Sequence, residues 1–165
     1  MHNIGKKNAA VIGIGNLIMG DDGFGIHVIQ YLEKHFQFPE DVNLVDGGTA
    51  GIYMAPLFEA TDRAIVIDVI AMDLEPGSIV CLGHDEMRGR ITSSSMSPHQ
   101  IGVLEVLEIC RFNGTAPWKV DFICVVPDKI LPSTRLSPAL SPITAKVALM
   151  VTDILKQEGF SIEDA

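Results

Sequence analysis

At 165 residues the chain has the length of one domain, with 47% hydrophobic residues for an interior and 20% charged residues for a surface. Its formal charge of −9 disfavours phosphate backbones and anionic membrane surfaces, whose recognition needs clustered Lys and Arg, so no nucleic-acid partner is expected. No run approaches the roughly 20 apolar residues of a membrane helix, and the apolar stretch after Lys6 and Lys7 is cut by Gly13, Gly15 and Asn16, unlike a signal segment. No membrane insertion is expected, and the cytoplasm is the expected location.

Residues 9–14 are apolar and run into a Gly-rich loop, after which 24–35 carry helical spacing: strand, loop, helix. A short strand over 42–45, a loop at Gly47, Gly48, Thr49, Ala50 and Gly51, and a helix over 52–60 follow. Residues 64–69 are nearly continuous and β-branched, as in a strand covered on both faces. Pro76-Gly77 turns the chain into a strand over 79–82, expected to be antiparallel because the link is too short for a helical crossover. A polar loop over 84–95 precedes Ser97-Pro98, which starts a helix over 99–112 with Ser as N-cap and Pro at the first position. A strand over 120–126 and a helix over 142–157 complete the alternation. The expectation is one α/β domain over residues 1–165, with a twisted, mainly parallel five-stranded sheet and helices on both faces. Cys81, Cys110 and Cys124 sit among apolar neighbours without a Cys-x-x-Cys pair and are read as buried thiols.

Three places carry chemistry. The loop Gly13-Ile14-Gly15-Asn16-Leu17-Ile18-Met19-Gly20-Asp21-Asp22-Gly23 sits where a dinucleotide loop would. Ile18 occupies the third glycine position, however, and the acidic pair would repel pyrophosphate. One of Asp21 and Asp22 is read as a helix-start carboxylate, the other as available. Asp68, inside an apolar strand, would cost several kcal/mol unpaired, so it must lie at the strand end, accept strong hydrogen bonds or meet a cation. His99 opens a helix, whose positive end favours the neutral imidazole that binds metal. Ligands gather at the carboxyl ends of strands in such sheets, which brings these loops together as a three-ligand site with open positions. His2, His27, His35 and His84 lack such company, His84 being read as solvated in its loop.

These residues together resemble the hydrogenase maturation endopeptidases, which trim the C-terminal tail of the nickel–iron hydrogenase large subunit. The likeness runs through Gly13-Ile14-Gly15-Asn16, Asp21-Asp22-Gly23-Phe24-Gly25, Asp46-Gly47-Gly48-Thr49-Ala50-Gly51, Ile67-Asp68 and Ser97-Pro98-His99-Gln100. The resemblance implies Asp22, Asp68 and His99 as metal ligands acting in catalysis through the metal. Many members have Asp-Glu where this chain has Asp21-Asp22. It further implies that nickel already inserted in the precursor large subunit is the recognition signal, other divalent ions being able to occupy the site in vitro. The 47–51 loop is expected to line the groove for the tail, since a peptide approaches backbone closely only where side chains are absent. Neither a Gly-x-Ser-x-Gly elbow nor a reactive-cysteine signature is present, so the sequence needs no covalent nucleophile; the resemblance implies a nickel-dependent endopeptidase, with the aspartic type as its expected class. Three other readings compete. One is a Ser97-His99-Asp68 set. Another is a receiver-like module in which Asp21, Asp22, Asp68 and Lys129 serve phosphotransfer, and the last is a nickel carrier without hydrolysis.

Overall fold

The computed structural model describes residues 7–90 and 96–165. Four parallel strands and one antiparallel strand form the sheet, in the order β3-β1-β4-β6-β5. They are β1 (Ala9–Ile14), β3 (Val42–Gly48), β4 (Arg63–Val69), β5 (Ile79–Gly83) and β6 (Lys119–Val125). The helices are α1 (Phe24–His35), α2 (Ala55–Glu59), α3 (His84–Arg88), α4 (Pro98–Phe112) and α5 (Ile143–Gln157). A two-residue ladder, β2 (Phe36–Gln37) with β7 (Glu163–Asp164), ties the end of α1 to the C-terminal segment.

The strand period of two sorts the core into two layers. Ala9 and Val11 of β1, Ile65, Ile67 and Val69 of β4, and Ile123 and Val125 of β6 face α1 and α5. Ala10, Ile12 and Ile14, with Ala64 and Val66, and with Phe122 and Cys124, face α2 and α4. Asp68 falls in the second register, continuing the Ala64–Val66 face toward α4. Its position is set by parity alone.

Three elements differ from expectation: the strand expected over 42–45 runs on to Gly48, taking in Gly47 and Gly48 of the expected loop, and two others change more. Residues 52–60 are a 3-10 turn, Gly51–Met54, followed by one turn of α2. The expected polar loop begins as a helix, α3, because Glu86 reaches back to the Gly83 amide at 2.7 Å; residues 91–95 of that loop lie outside the described residues. The strand over 79–82 is antiparallel as expected, and it pairs with β6 at the sheet edge. That edge exposes Cys81, correcting its reading as a buried thiol, whereas Cys110 and Cys124 are buried.

Candidate functional site

The first loop leaves β1 through Gly15, at φ 137°, where a side chain would collide with the Asp22 carbonyl. α1 then starts close over the strands. A Cβ on Gly25 would strike the carbonyls of Ile14 and Ile67, and one on Gly13 would strike Gly25. These glycines shape backbone, and through them the 3-10 turn Gly20–Gly23 lands beside the end of β4.

The acidic pair on that turn divides its work. Asp21 is fully buried, and its carboxylate accepts the backbone N–H groups of Asp128 (2.9 Å), Lys129 (3.2 Å) and Ser137 (2.7 Å) and the Ser137 hydroxyl (2.8 Å). With the Gly20–Ser133 and Ser133–Ile18 backbone bonds it pins the loop after β6 to the loop after β1. Asp22 points the other way. Its Oδ2 accepts the Asn16 N–H at 3.1 Å, and its Oδ1 stands 3.7 Å from His99 Nε2.

Asp68 Oδ1 accepts the Val69 N–H at 2.8 Å, while Oδ2 lies 3.6 Å from the same His99 nitrogen. Distances of 3.6 and 3.7 Å are ion-pair contacts, too long for hydrogen bonds. Asp68 Oδ2 and His99 Nε2 are accordingly buried polar atoms with no hydrogen-bond partner. Metal bonds of about 2.1 Å set neighbouring ligand atoms roughly 3.0–3.4 Å apart, so each carboxylate stands within a few tenths of an ångström of the spacing to His99 Nε2 that a shared ion would set. Among the described residues no three His, Cys, Asp or Glu side chains already stand at metal-holding geometry; the triad is open.

Electrostatics reverses one expectation. Burial pushes the Asp68 carboxyl up to about 6, against the attraction of His99 and the Val69 N–H, with the Asp22 charge adding to the rise. Burial alone would lower the His99 pKa, but the proximity of Asp68 and the charge of Asp22 outweigh it, so the net shift is upward. Without metal the ring is thus drawn toward imidazolium, because two carboxylates outweigh the helix end that was expected to keep it neutral. A cation would replace that proton.

His99 is aimed by its helix. Ser97 and Gln100 form a capping box, Ser97 Oγ accepting the Gln100 N–H at 3.3 Å and Gln100 Oε1 accepting the Ser97 N–H at 3.0 Å. The Gln100 amide also donates to the Val69 carbonyl, tying α4 to the residue after Asp68. Ser97 is committed as N-cap, which removes the Ser97-His99-Asp68 reading. The receiver-like reading loses its acidic pair, since the Asp21 carboxylate is filled by loop amides and the Ser137 hydroxyl.

The 47–51 loop is split. Gly51 packs on Gly102 of α4, placing the loop on the side of the sheet that carries His99. Gly48 is half-buried, and Thr49 and Ala50 are exposed. Gly47 is buried against Ile14, so it belongs to the core and not to a groove. His84 also departs from its reading: its Nδ1 accepts from Arg111 at 2.8 Å and its Nε2 lies 3.3 Å from Glu108. The clamp by Asp21 was missed; the adjacency of two acids was its signal, and only tertiary structure says which loop it holds.

Two carboxylates and an imidazole from three loops, at the carboxyl end of an α/β sheet, define a candidate cation-receiving site. The hydrogenase maturation protease model matches residues 26–157, and the chain belongs to that family. The hydrogenase expression/formation protein HoxM of Azotobacter vinelandii is 36% identical over 123 residues, 74% of this chain and 59% of that protein. The hydrogenase 2 maturation protease of Escherichia coli strain K12 is 29% identical over 150 residues, 90% of this chain and 91% of that protein. A solved structure of the hydrogenase maturating endopeptidase HybD from E. coli superimposes with a TM-score of 0.90 at 28% identity, covering 95% of this chain and 97% of that one. The chain spans 59% and 60% of the length of its two Azotobacter relatives.

Proposed function

We propose that this chain is a cytoplasmic endopeptidase that removes the C-terminal extension of a nickel–iron hydrogenase large-subunit precursor once nickel has been inserted. The observation that carries this is the open triad: Asp68 Oδ2 and His99 Nε2, buried and unpartnered, with Asp22 Oδ1 beside them. A buried polar atom without a partner costs free energy in the resting protein, and such a cost persists where a ligand relieves it.

The nickel belongs to the substrate. Asp22, Asp68 and His99 form an oxygen and nitrogen donor set that suits a borderline divalent ion, and offering it to a metal already held by the precursor is how the chain recognises the loaded state. Asp22 is oriented by the Asn16 N–H, Asp68 by the Val69 N–H, and His99 by the α4 capping box. These residues thus hold their donors in place before the partner arrives. Gly48, Thr49, Ala50 and Gly51 offer backbone to the extended tail, Gly47 serving only as support.

The surface around the triad suits a protein substrate. Ile18, Tyr53, Leu74, Ile130 and Leu131, all exposed, lie on the loops that follow β1, β3, β4 and β6. Exposed apolar side chains at the carboxyl end of the sheet, the end that carries the triad, mark a face that another protein covers.

Incubation with nickel-loaded precursor, followed by mass measurement of its C-terminus, tests the proposal. Release of the tail from loaded but not nickel-free precursor is expected. A precursor that takes up or loses nickel with its tail intact would support the carrier reading instead.

A further inference from the structure

Away from the triad, an open cleft of about 620 Å³ lies between α1 and the start of α5. Lys34, Arg135, His27 and His35 line it, and no aspartate or glutamate does, in a chain whose formal charge is −9. Lys34 and Arg135 are exposed and form no ion pair among the described residues, whereas Arg63, Arg88, Arg111 and Lys119 all do.

The walls add a helix end and two unpartnered polar atoms beneath the surface. α5 begins at the cleft, which Pro142 and Thr144 line, and its N-terminus has no side-chain cap and no acid in its first turn, leaving its partial positive charge unanswered. Thr144 is 8% exposed, and its Oγ1 is buried without a hydrogen-bond partner, as is Nε2 of His27. Burial lowers the His27 pKa, so the fixed charge rests on Lys34 and Arg135.

The cleft does not end there. Arg135 and Leu136 also line an adjoining cleft of about 330 Å³ that reaches Lys129 and the Asp21-pinned loop, Asp128 being the exposed acid on that stretch. The adjoining cleft is mixed in charge, Asp21 and Asp128 lining it with Lys129 and Arg135; the spread of Lys34, Arg135 and Lys129 over the two suits a chain that spaces its carboxylates at the strand rise of about 3.3 Å per residue better than an ion that needs one centre.

We propose that this cationic cleft receives an extended, carboxylate-rich segment of a protein partner, and that it serves as a second point of attachment beside the triad. Its acidic-peptide chemistry stands on the cleft itself; only the identification of the partner with the metal-bearing precursor rests on the proposed function. Against an acidic body, a local cationic strip gives orientation and rate of encounter more than affinity.

The test uses the full chain, with a ten-residue glutamate peptide and inorganic phosphate as probes, titrated calorimetrically at low ionic strength. The peptide is expected to bind at least about tenfold more tightly than phosphate. The double variant Lys34→Gln/Arg135→Gln should weaken peptide binding by about fivefold to tenfold, as befits two exposed charge pairs, with an unchanged melting temperature. Lys156→Gln, at the far end of α5, should leave binding as it is. Equal binding by the double variant, equal loss in Lys156→Gln, or phosphate binding as tightly as the peptide would overturn the proposal. In the tail-cleavage assay the double variant should raise KM and leave kcat unchanged. A chain that binds the peptide through Lys34 and Arg135 yet cleaves no precursor would sink the endopeptidase reading and leave the cleft assignment standing.

Discussion

Arg63, at the N-terminal end of β4, and Asp68, near its C-terminal end, are both 1% exposed charged residues on the same strand. Arg63 is satisfied: it donates to both Glu158 carboxylate oxygens at 3.0 and 2.9 Å, to Asp121 and to the Ala64 carbonyl. Lys119 stands 3.5 Å from Asp121 and 3.6 Å from Glu158, closing the cluster. Asp68 keeps one oxygen on its own strand and leaves the other facing His99 across 3.6 Å, with Asp22 near the same nitrogen. One end of the sheet uses buried charge to join β4, β6 and α5; the other leaves buried polar atoms without hydrogen-bond partners. Burial alone does not separate the two, and partner count does.

Breaking each end should therefore give opposite results. Asp68→Asn is expected to lower nickel-dependent tail cleavage by more than about 100-fold, with unchanged or raised thermal stability in chelator, because it removes a ligand and a source of repulsion together. Asp22→Asn should behave alike in the same assay. If either variant unfolds in chelator, the carboxylate is structural and the contrast between the two ends fails. Arg63→Met is expected to cost about 2–4 kcal/mol in denaturant unfolding and to leave cleavage per folded molecule unaltered, since it leaves the partly exposed Asp121 and Glu158 with the longer Lys119 contacts in place of the Arg63 bonds.

Between these extremes stands Asp21, next to Asp22 in sequence and like Arg63 in its full set of partners. Asp21→Asn puts an amide donor where two backbone N–H groups point, so a loss of about 1–3 kcal/mol in stability is expected, with most of the cleavage activity retained once the variant is folded. Loss of cleavage as deep as that of Asp22→Asn would make Asp21 part of the site.

The smallest effect concerns pH. Asp68 titrates at about 6 in the folded protein against 3.8 as its ordinary value, and His99 is raised above 6.5. Both groups hold their protons more tightly when folded than when unfolded, so acidification favours the folded state. The metal-free protein should gain stability as the pH falls from about 7 toward about 5, and lose it as the pH rises through the folded values. Protons compete with metal for the same atoms, so metal affinity should fall over that window. Melting curves in chelator and metal titrations across it check both signs, and a metal-free protein that weakens steadily from pH 7 to 5 would contradict them.

Much of this was legible before the structure. The apolar run of β4, the Ser97-Pro98 start of α4 and the short Pro76-Gly77 link each act locally, so sequence conveys them. Asp68 is conspicuous because a carboxylate inside such a strand demands an explanation. What sequence could not convey is long-range. Arg63 meets Glu158 across 95 positions and Asp121 across 58, and Asp21 meets Ser137 across 116. None of these three pairings has a local signature. Cys81 was misread because apolar neighbours look the same on an edge strand and on a central one. The neutral imidazole expected for His99 followed from its helix end, and the two carboxylates that overrule it come from other loops.

The central claim is that Asp22, Asp68 and His99 converge on one point able to take a cation. Anomalous diffraction from crystals of the chain soaked in a nickel salt measures this directly. The account requires one peak about 2.0–2.2 Å from a carboxylate oxygen of Asp22, a carboxylate oxygen of Asp68 and Nε2 of His99. Nickel bound elsewhere, with no density at that point, would contradict it.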